Sequence, residues 1–300
     1  MRSRTLPACS GAGDRRRWAR TPRHASTAIA CRPVNLGSLP CCSAIWVGGQ
    51  TTVVLTAHPD DEVFAHCAAI AMLSQQGSRV VLRTASGGEA AENDVTSSAE
   101  ARRRRSARLD AACTTLGVSE WNWLAEGRWT DTAGRPTTGS LTTASVADLA
   151  EVIADQIQTI IPDVVLTVGP DGLTGHPDHI LIHRAVTSAA ASCDVPVYGS
   201  YLLPADIAQG RDLLATILPG ERMGSGRMTG REDPAPATSA APARAAEARR
   251  AALDEYANGL GTLALKNLVR VFPGRGDSLL LRAVLDAIGW QTERYTCPVT

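Results

Sequence analysis

The sequence predicts an α/β fold, in which helices cover both faces of a mostly parallel, twisted sheet. Two observations predict it. Short, β-branched apolar runs alternate with helical patterns through residues 51–203, and two of the runs lead into a His-Pro-Asp motif. Strands that alternate with helices pair in parallel through right-handed crossovers. Functional sites of such sheets lie outside the carboxyl ends of the strands, so both motifs are expected at one edge.

The individual elements follow from the spacing of apolar residues and from the residues that end each run. Strands are predicted at residues 52–56, 79–84, 163–168 and 195–201. Helices are predicted at residues 61–76, 98–116, 145–160, 176–192, 248–260 and 278–288. Gly77, Gly117 and Pro162 follow three of these helices, as residues that stop a helix commonly do. This succession is that of a Rossmann-like fold.

Composition divides the chain into four parts. Residues 1–50 lack periodicity and are rich in Arg, Ser, Gly and Pro, so a disordered or mis-assigned N-terminal extension is predicted there. Residues 51–223 form the predicted catalytic domain. Residues 224–247 have the low complexity of a linker or mobile loop, and 248–300 are a predicted helical part that packs on the catalytic domain.

Several protein classes are disfavoured. No apolar run approaches the roughly 18 residues of a membrane-spanning helix, so no integral membrane segment is expected. A net charge of zero argues against nucleic acid as a partner. Four of the eight cysteines lie in the first 42 residues and no CxxC occurs, which argues against a disulfide scaffold and favours a cytoplasmic protein.

The first His-Pro-Asp motif supplies two candidate metal ligands. His58 and Asp61 stand three residues apart at the start of a predicted helix, so both side chains can point to one spot beyond the strand. His179 joins them from the second motif. Two imidazoles and one carboxylate suit Zn²⁺ and leave positions open for water. Zn²⁺ lowers the pKa of bound water to about 7 and supplies a nucleophile at neutral pH.

Two neighbours of these ligands are candidates for acid–base chemistry. Asp60 diverges from Asp61 by about 100° at the helix start, which makes it a candidate general base. His176 precedes His179 by one turn and is a candidate acid or oxyanion stabiliser.

The two motifs together resemble a known family. AHPDDE at 57–62 with GHPDH at 175–179 is similar to the PIG-L/LmbE-like zinc-dependent N-acetylglucosaminyl deacetylases. SGGE at 86–89 and LGV at 116–118 are further matches, and GRWTD at 127–131 resembles the mycothiol-pathway branch. The resemblance covers about residues 51–203, with a weaker echo at Arg250–Leu260.

This resemblance implies a zinc-dependent hydrolase that removes an N-acetyl or other N-acyl group from a glucosamine-containing conjugate. It implies that His58, Asp61 and His179 bind the metal, that Asp60 is the base, and that His176 is the electrostatic or acid partner. Asp178 is then expected to orient His176.

The implied substrate contacts are Glu89, Arg105 and Asp131. Arg108 stands where the family often has Glu, and the run Arg102–Arg105 leaves the register of the substrate-contacting arginine open.

Two other functions stay open at this point. Two histidines and a carboxylate also form the facial triad of non-haem Fe(II) oxygenases, against which the α/β pattern and Asp60 weigh. A catalytically inactive carbohydrate-binding homologue is the second, although neither base nor ligand is lost. The expected partner is a small-molecule amino-sugar conjugate. Its aglycone and acyl group, the oligomeric state, and the choice between Zn²⁺ and Fe²⁺ stay open.

Overall fold

The structure, a computed structural model, contains one seven-stranded sheet with helices around it. It describes residues 48–92, 94–232, 237–240, 243–272, 274 and 276–296, with the backbone alone at 237–240. Most of the predicted N-terminal extension, residues 1–47, lies outside the described residues. The strands are β1 (Thr51–Thr56), β2 (Arg79–Thr84), β3 (Glu120–Trp123), β4 (Val164–Val168), β5 (Val197–Tyr201), β6 (Ala237–Ala240) and β7 (Thr292–Tyr295). The helices are α1 (Asp61–Gln75), α2 (Ser98–Leu116), α3 (Val146–Ile160), α4 (Gly172–Gly175), α5 (Pro177–Cys193), α6 (Pro204–Ile217), α7 (Ala243–Tyr256), α8 (Leu265–Val271) and α9 (Asp277–Ile288).

The order of the strands determines where the ends of β1 and β4 meet. The sheet runs β3-β2-β1-β4-β5-β7-β6, and the pairs from β3 to β5 are all parallel. Only β7 runs antiparallel to its neighbours β5 and β6. The predicted mostly parallel α/β sheet is therefore confirmed. The order reverses between β1 and β4, and this switch point is where ligands bind in open α/β sheets.

Alternate residues of each central strand face opposite sides of the sheet, and both sides are covered. Val54 and Leu166 belong to a core that includes apolar residues of α1, α2, α7 and α9. Val53 and Val165 belong to a second core, which α3 and α5 complete. Burial on both faces explains why β1 and β4 each contain three consecutive apolar residues rather than a strict alternation of polar and apolar ones.

Helix α2 carries the arginine run past the carboxyl end of the sheet. Its start is capped by the Ser97 hydroxyl, which accepts the backbone N–H of Glu100 at 3.2 Å. Gly117 ends the helix in a left-handed conformation (φ 74°), which a residue without Cβ adopts at low cost. The helix is thus fixed at both ends, and Arg105 is buried.

The C-terminal third of the chain contributes to the same sheet. Within the stretch 224–247, whose composition is that of a linker, the backbone forms strand β6, and α7 begins at Ala243. Helix α7 packs against α1 and α2, and α9 packs against α6. Among the described residues, no helix combines the length and the apolar character that crossing a membrane requires.

Ile161 offers a test of backbone strain at the end of α3. This residue is left-handed (φ 53°, ψ 64°), and its side chain is 78% exposed. A left-handed conformation costs a β-branched residue roughly 1–2 kcal/mol, whereas asparagine adopts it readily. We therefore expect Ile161→Asn to raise the free energy of unfolding by about 1 kcal/mol in urea titrations. Val271→Asn is the matched control, because Val271 is 65% exposed and ends the regular helix α8. An equal gain in both variants would show that removal of an exposed apolar side chain, not strain, is responsible.

Candidate metal centre

The loops that follow β1 and β4 carry the predicted metal ligands. His58 lies just beyond β1, Asp61 begins α1, and His179 lies in the first turn of α5. Because β1 and β4 are neighbours at the switch point of the sheet, the two loops meet. All three side chains are buried.

The ligand atoms of these three residues face one another. Nδ1 of His58 lies 3.2 Å from Nε2 of His179, and Oδ1 of Asp61 lies 3.2 Å from the same Nε2. Oδ2 of Asp61 lies 3.9 Å from Nδ1 of His58. The backbone N–H groups of Ala57 and His58 donate to this Oδ2 at 3.1 and 2.9 Å, which fixes the carboxylate. The structure therefore brings the three predicted ligands to one point.

In His58 and His179, the ring nitrogen that points away from the shared point is hydrogen-bonded, which leaves the other ring nitrogen available to a metal. Nδ1 of His179 donates to the carbonyl oxygen of Gly172 at 3.0 Å, and Nε2 of His58 donates to Oδ2 of Asp178 at 3.1 Å. When both rings are neutral and their protons are held there, Nδ1 of His58 and Nε2 of His179 each present a lone pair to the shared point. Outer hydrogen bonds of this kind accompany most histidine ligands of metals. The hydroxyl of Thr142 donates to Oδ1 of Asp178 at 2.6 Å and holds that carboxylate in turn.

Negative charge dominates the surroundings of His58. Burial lowers the pKa of this imidazole, but Asp131, Asp178 and Asp61 outweigh burial and raise it to about 10. Burial raises the pKa of Asp61, but the neighbouring imidazoles, His179 first, hold it well below its usual range. Carboxylates around the ligand atoms favour a bound cation, and a divalent ion suits this donor set.

Asp60 has partners different from those of Asp61. It is left-handed (φ 97°, ψ −22°), an unfavourable conformation for a residue with a Cβ. Its Oδ2 accepts a hydrogen bond from Nη2 of Arg105 at 3.0 Å, and its backbone N–H donates to Oε2 of Glu62 at 3.0 Å. Burial raises the pKa of Asp60, which Arg105 opposes and the charge of Asp61 reinforces. Its side chain is 24% exposed, compared with 9% for Asp61.

His176 completes a cluster of three imidazoles. Its ring lies 5.1 Å from the rings of both His58 and His179, and its Nδ1 accepts the backbone N–H of Asp178 at 3.3 Å. Burial, and then the two other histidines, lower its pKa to about 4, so the neutral ring carries its proton on Nε2. Asp178 is expected from the family resemblance to orient His176. Its carboxylate instead forms hydrogen bonds with His58 and Thr142, and its hydrogen bond to His176 comes from the backbone N–H.

Comparisons with known proteins identify relatives of this chain. The family model described as "PIG-L: GlcNAc-PI de-N-acetylase" matches residues 53–190. The 1D-myo-inositol 2-acetamido-2-deoxy-alpha-D-glucopyranoside deacetylase of Streptomyces griseus is 36% identical over 166 residues, which cover 49% of this chain and 50% of that protein. The protein of the same name from Thermobifida fusca is 30% identical over 201 residues, which cover 62% of this chain and 68% of that protein. This chain belongs to the PIG-L family. It spans about half the length of the Streptomyces and Thermomonospora curvata relatives, 50% and 53%.

Solved structures share the fold of this PIG-L chain. The A40926 pseudoaglycone deacetylase has a TM-score of 0.56 and 21% identity, and the match covers 83% of this chain and 96% of that one. The zinc-inhibited form of teicoplanin deacetylase has a TM-score of 0.52 and 20% identity, with 83% and 98% covered. At these identities the similarity establishes the α/β fold.

Two of the substrate contacts implied by the PIG-L resemblance, Glu89 and Asp131, lie together. Oε1 of Glu89 accepts a hydrogen bond from Nη2 of Arg102 at 2.6 Å, and Oε2 accepts the backbone N–H of Asp131 at 2.9 Å. Oδ1 of Asp131 lies 3.7 Å from Nε2 of His58, which places this carboxylate beside one of the predicted metal ligands. Arg102 also donates to the carbonyl oxygen of Trp129 at 3.1 Å and so ties the two loops together.

The third implied contact, Arg105, lies against the loop of the first motif. Its guanidinium donates to Oδ2 of Asp60 and to the carbonyl oxygen of Pro59. Arg108, which departs from the PIG-L pattern, pairs with Glu92. The arginines of α2 therefore divide their contacts among separate carboxylates rather than forming one solvated face.

Sequence analysis missed several residues that hold this PIG-L site together. Thr142 gives no signal, because a lone threonine in a loop is common. Arg102 belongs to a run of four consecutive arginines, and their spacing does not indicate which of them contacts the site. Glu62 ends the AHPDDE motif and is fully buried, yet its partner, Tyr256, lies 194 positions away in α7. No local pattern connects residues at that separation.

Proposed function

We propose that this chain is a metal-dependent N-deacetylase, an amide hydrolase that removes an acetyl or other acyl group from a glucosamine-containing conjugate. One observation carries the proposal: ligand atoms of His58, His179 and Asp61 face one point, with Asp60 directly beside them. Membership of the PIG-L family, and the names of relatives that act on an acetamido sugar, support the class of substrate.

In this proposal, His58, Asp61 and His179 hold Zn²⁺, with Fe²⁺ as the alternative ion. When bound, the ion acts as a Lewis acid and makes a coordinated water acidic. Asp60 takes the proton of the attacking water, since its side chain is partly exposed and bonds Arg105 rather than the proposed metal ligands. His176, neutral and protonated on Nε2, donates to the amide oxygen as negative charge develops there.

The sugar is proposed to lie against Glu89, Arg105 and Asp131. Carboxylates and a guanidinium can accept from and donate to vicinal hydroxyl groups, which peptides lack. A site that hydrogen-bonds a hydroxyl can reject analogues without it by about 10⁴-fold. Within this set, Asp131 lies beside a proposed ligand, since its Oδ1 is 3.7 Å from Nε2 of His58.

The proposed catalytic domain spans residues 51–223, and we propose that 248–300 pack on it as an integral part. Helix α7 contacts α1, the helix that Asp61 begins, which supports this division. We also propose a cytoplasmic setting, which the free thiols of Cys67, Cys113 and Cys193 among the described residues support.

Acetate release tests the proposed activity. We expect the Zn²⁺-loaded protein to release acetate from at least one N-acetylglucosaminide of a panel with inositol, lipid and glycopeptide aglycones. A chelator should abolish this release and added Zn²⁺ should restore it, because the nucleophile needs the ion. An N-acetyl-lysine peptide is the matched control and should not react. Cleavage of the peptide, with every acylated glucosamine untouched, would contradict the proposal.

A further inference from the structure

Glu62 is fully buried and connects α7 to the loop of the first motif, residues 57–60, which we call the catalytic loop. Its Oε2 accepts the backbone N–H of Asp60 at 3.0 Å, and its Oε1 accepts the hydroxyl of Tyr256 at 2.6 Å. Both Glu62 and Tyr256 are buried, so no bulk water replaces either hydrogen bond. A buried carboxyl group depends on its hydrogen-bond partners within the protein. Tyr256 is the side-chain donor among the contacts of Glu62 in the described part of the chain.

Arg105 holds the same loop from α2. Its guanidinium donates to Oδ2 of Asp60 and to the carbonyl oxygen of Pro59, and it lies 5.2 Å from the centre of the Tyr256 ring. The ring of Tyr256 therefore supports the arginine that binds the Asp60 side chain, and its hydroxyl supports the carboxylate that binds the Asp60 backbone. One residue of α7 contacts both groups that fix Asp60.

Asp60 needs such support because of its backbone. A φ of 97° is unfavourable for any residue with a Cβ, and it persists only where surrounding contacts determine it. Val63 and Phe64 donate their backbone N–H groups to the carbonyl oxygen of Asp60. The side-chain contacts come from Glu62 and Arg105. If either weakens, the backbone can relax and move the carboxylate away from the position in which it meets the attacking water.

We propose that Tyr256 is a positioning residue for Asp60, acting through Glu62 and Arg105. The inference rests on the proposed role of Asp60 as general base. It assigns a function to α7, which lies outside residues 53–190, the part matched by the family model. The catalytic loop is then complete only when the C-terminal part of the chain is folded against it.

Tyr256→Phe is the variant that isolates this role. Phenylalanine keeps the ring beside Arg105 and removes only the hydroxyl that Glu62 accepts. Small misplacements of a reacting group can cost about 10²-fold in rate, so we expect kcat to fall by roughly 10- to 100-fold. KM and metal content should not change, because the substrate-side residues and the three ligands keep their contacts. The assay uses the full chain loaded with Zn²⁺ and the N-acetylglucosaminide that the wild type hydrolyses fastest.

Tyr295→Phe is the matched control. Tyr295 is also buried and its hydroxyl also contacts α1, at 3.2 Å from Nδ1 of His66, but it touches neither Asp60 nor Glu62. We expect this variant to lose stability and to keep the wild-type kcat. A double-mutant cycle of Tyr256→Phe with Glu62→Gln adds a second criterion. The two effects on kcat should be strongly non-additive, because one residue acts through the other.

Two results would overturn the inference: a wild-type kcat for Tyr256→Phe, or equal losses of kcat in Tyr256→Phe and Tyr295→Phe. If the wild type releases acetate from no acylated amino sugar, the proposed function fails instead. Crystal structures of the Zn²⁺-loaded wild type and of Tyr256→Phe then decide the positioning role. We expect Asp60 in the variant to leave its left-handed conformation or to lose its hydrogen bond to Arg105. An unchanged Asp60 would refute the role independently of any activity.

Discussion

Replacing Asp60 with alanine is expected to reduce kcat by about 10²–10⁴-fold while the protein keeps its metal. The expectation follows from the separate partners of two adjacent carboxylates. Asp61 lies with the histidine ligands, whereas Asp60 bonds Arg105 and is partly exposed. Asp60→Asn is the sharper variant, because asparagine keeps the size and shape of the side chain and removes only the basic group. Both should lose rate to a similar degree in steady-state acetate release.

Variants of the ligands should behave differently from variants of the base. Asp61→Ala and His179→Ala each remove an atom from the shared point, so we expect them to lose bound metal in elemental analysis of the purified, folded protein. Circular dichroism checks that each variant is folded. If Asp60→Asn also lost the metal while folded, Asp60 would be a ligand and the proposed division of roles would be wrong.

The parallel part of the sheet could be predicted from the sequence because strands that are buried on both faces contain consecutive apolar residues. Strands β1, β2 and β4 each contain the apolar run Val-Val-Leu, and the sequence places them within one residue of their observed bounds. Strand β7 contains no such apolar run. Its sequence is TERY, and the side chains of Glu293 and Tyr295 are buried while those of Thr292 and Arg294 are half-buried. A strand is recognised by apolar residues at its buried positions, and in β7 one of these positions is occupied by the charged residue Glu293.

In the candidate site, too, some contacts could be predicted from the sequence and others could not. The proximity of His58, Asp61 and His179 could be predicted because both motifs stand at strand ends, and topology alone brings strand ends together. The contacts of Asp178 and Arg105 could not, because they depend on which rotamer each side chain adopts among several nearby partners. Asp178 bonds His58 rather than His176, and Arg105 bonds Asp60. Residue type and spacing do not distinguish between such partners.

The buried ion pair between Arg249 and Glu293 gives the largest expected effect on stability. Both side chains are buried, and Arg249 donates to Glu293 and, at 2.7 Å, to the carbonyl oxygen of Trp290. Glu293 also accepts the backbone N–H groups of Ala68 and Ala69 at 2.7 and 2.9 Å, in the middle of α1. Removing one partner of a buried pair leaves an uncompensated charge, which costs about 3–5 kcal/mol. We therefore expect Arg249→Met to lower the free energy of unfolding by that amount in urea titrations.

Arg79→Met is the matched control for this prediction, because Arg79 pairs with Glu120 at the surface, where the side chains are 46% and 45% exposed. Exposed pairs contribute up to about 1 kcal/mol. The double variant Arg249→Met/Glu293→Gln should recover part of the loss, since no unpaired charge remains buried. Because Glu293 binds the helix that begins with Asp61, Arg249→Met should also release its metal at a lower urea concentration than Arg79→Met. Equal losses of stability in the two single variants would mean that this pair does not secure the C-terminal strand to α1.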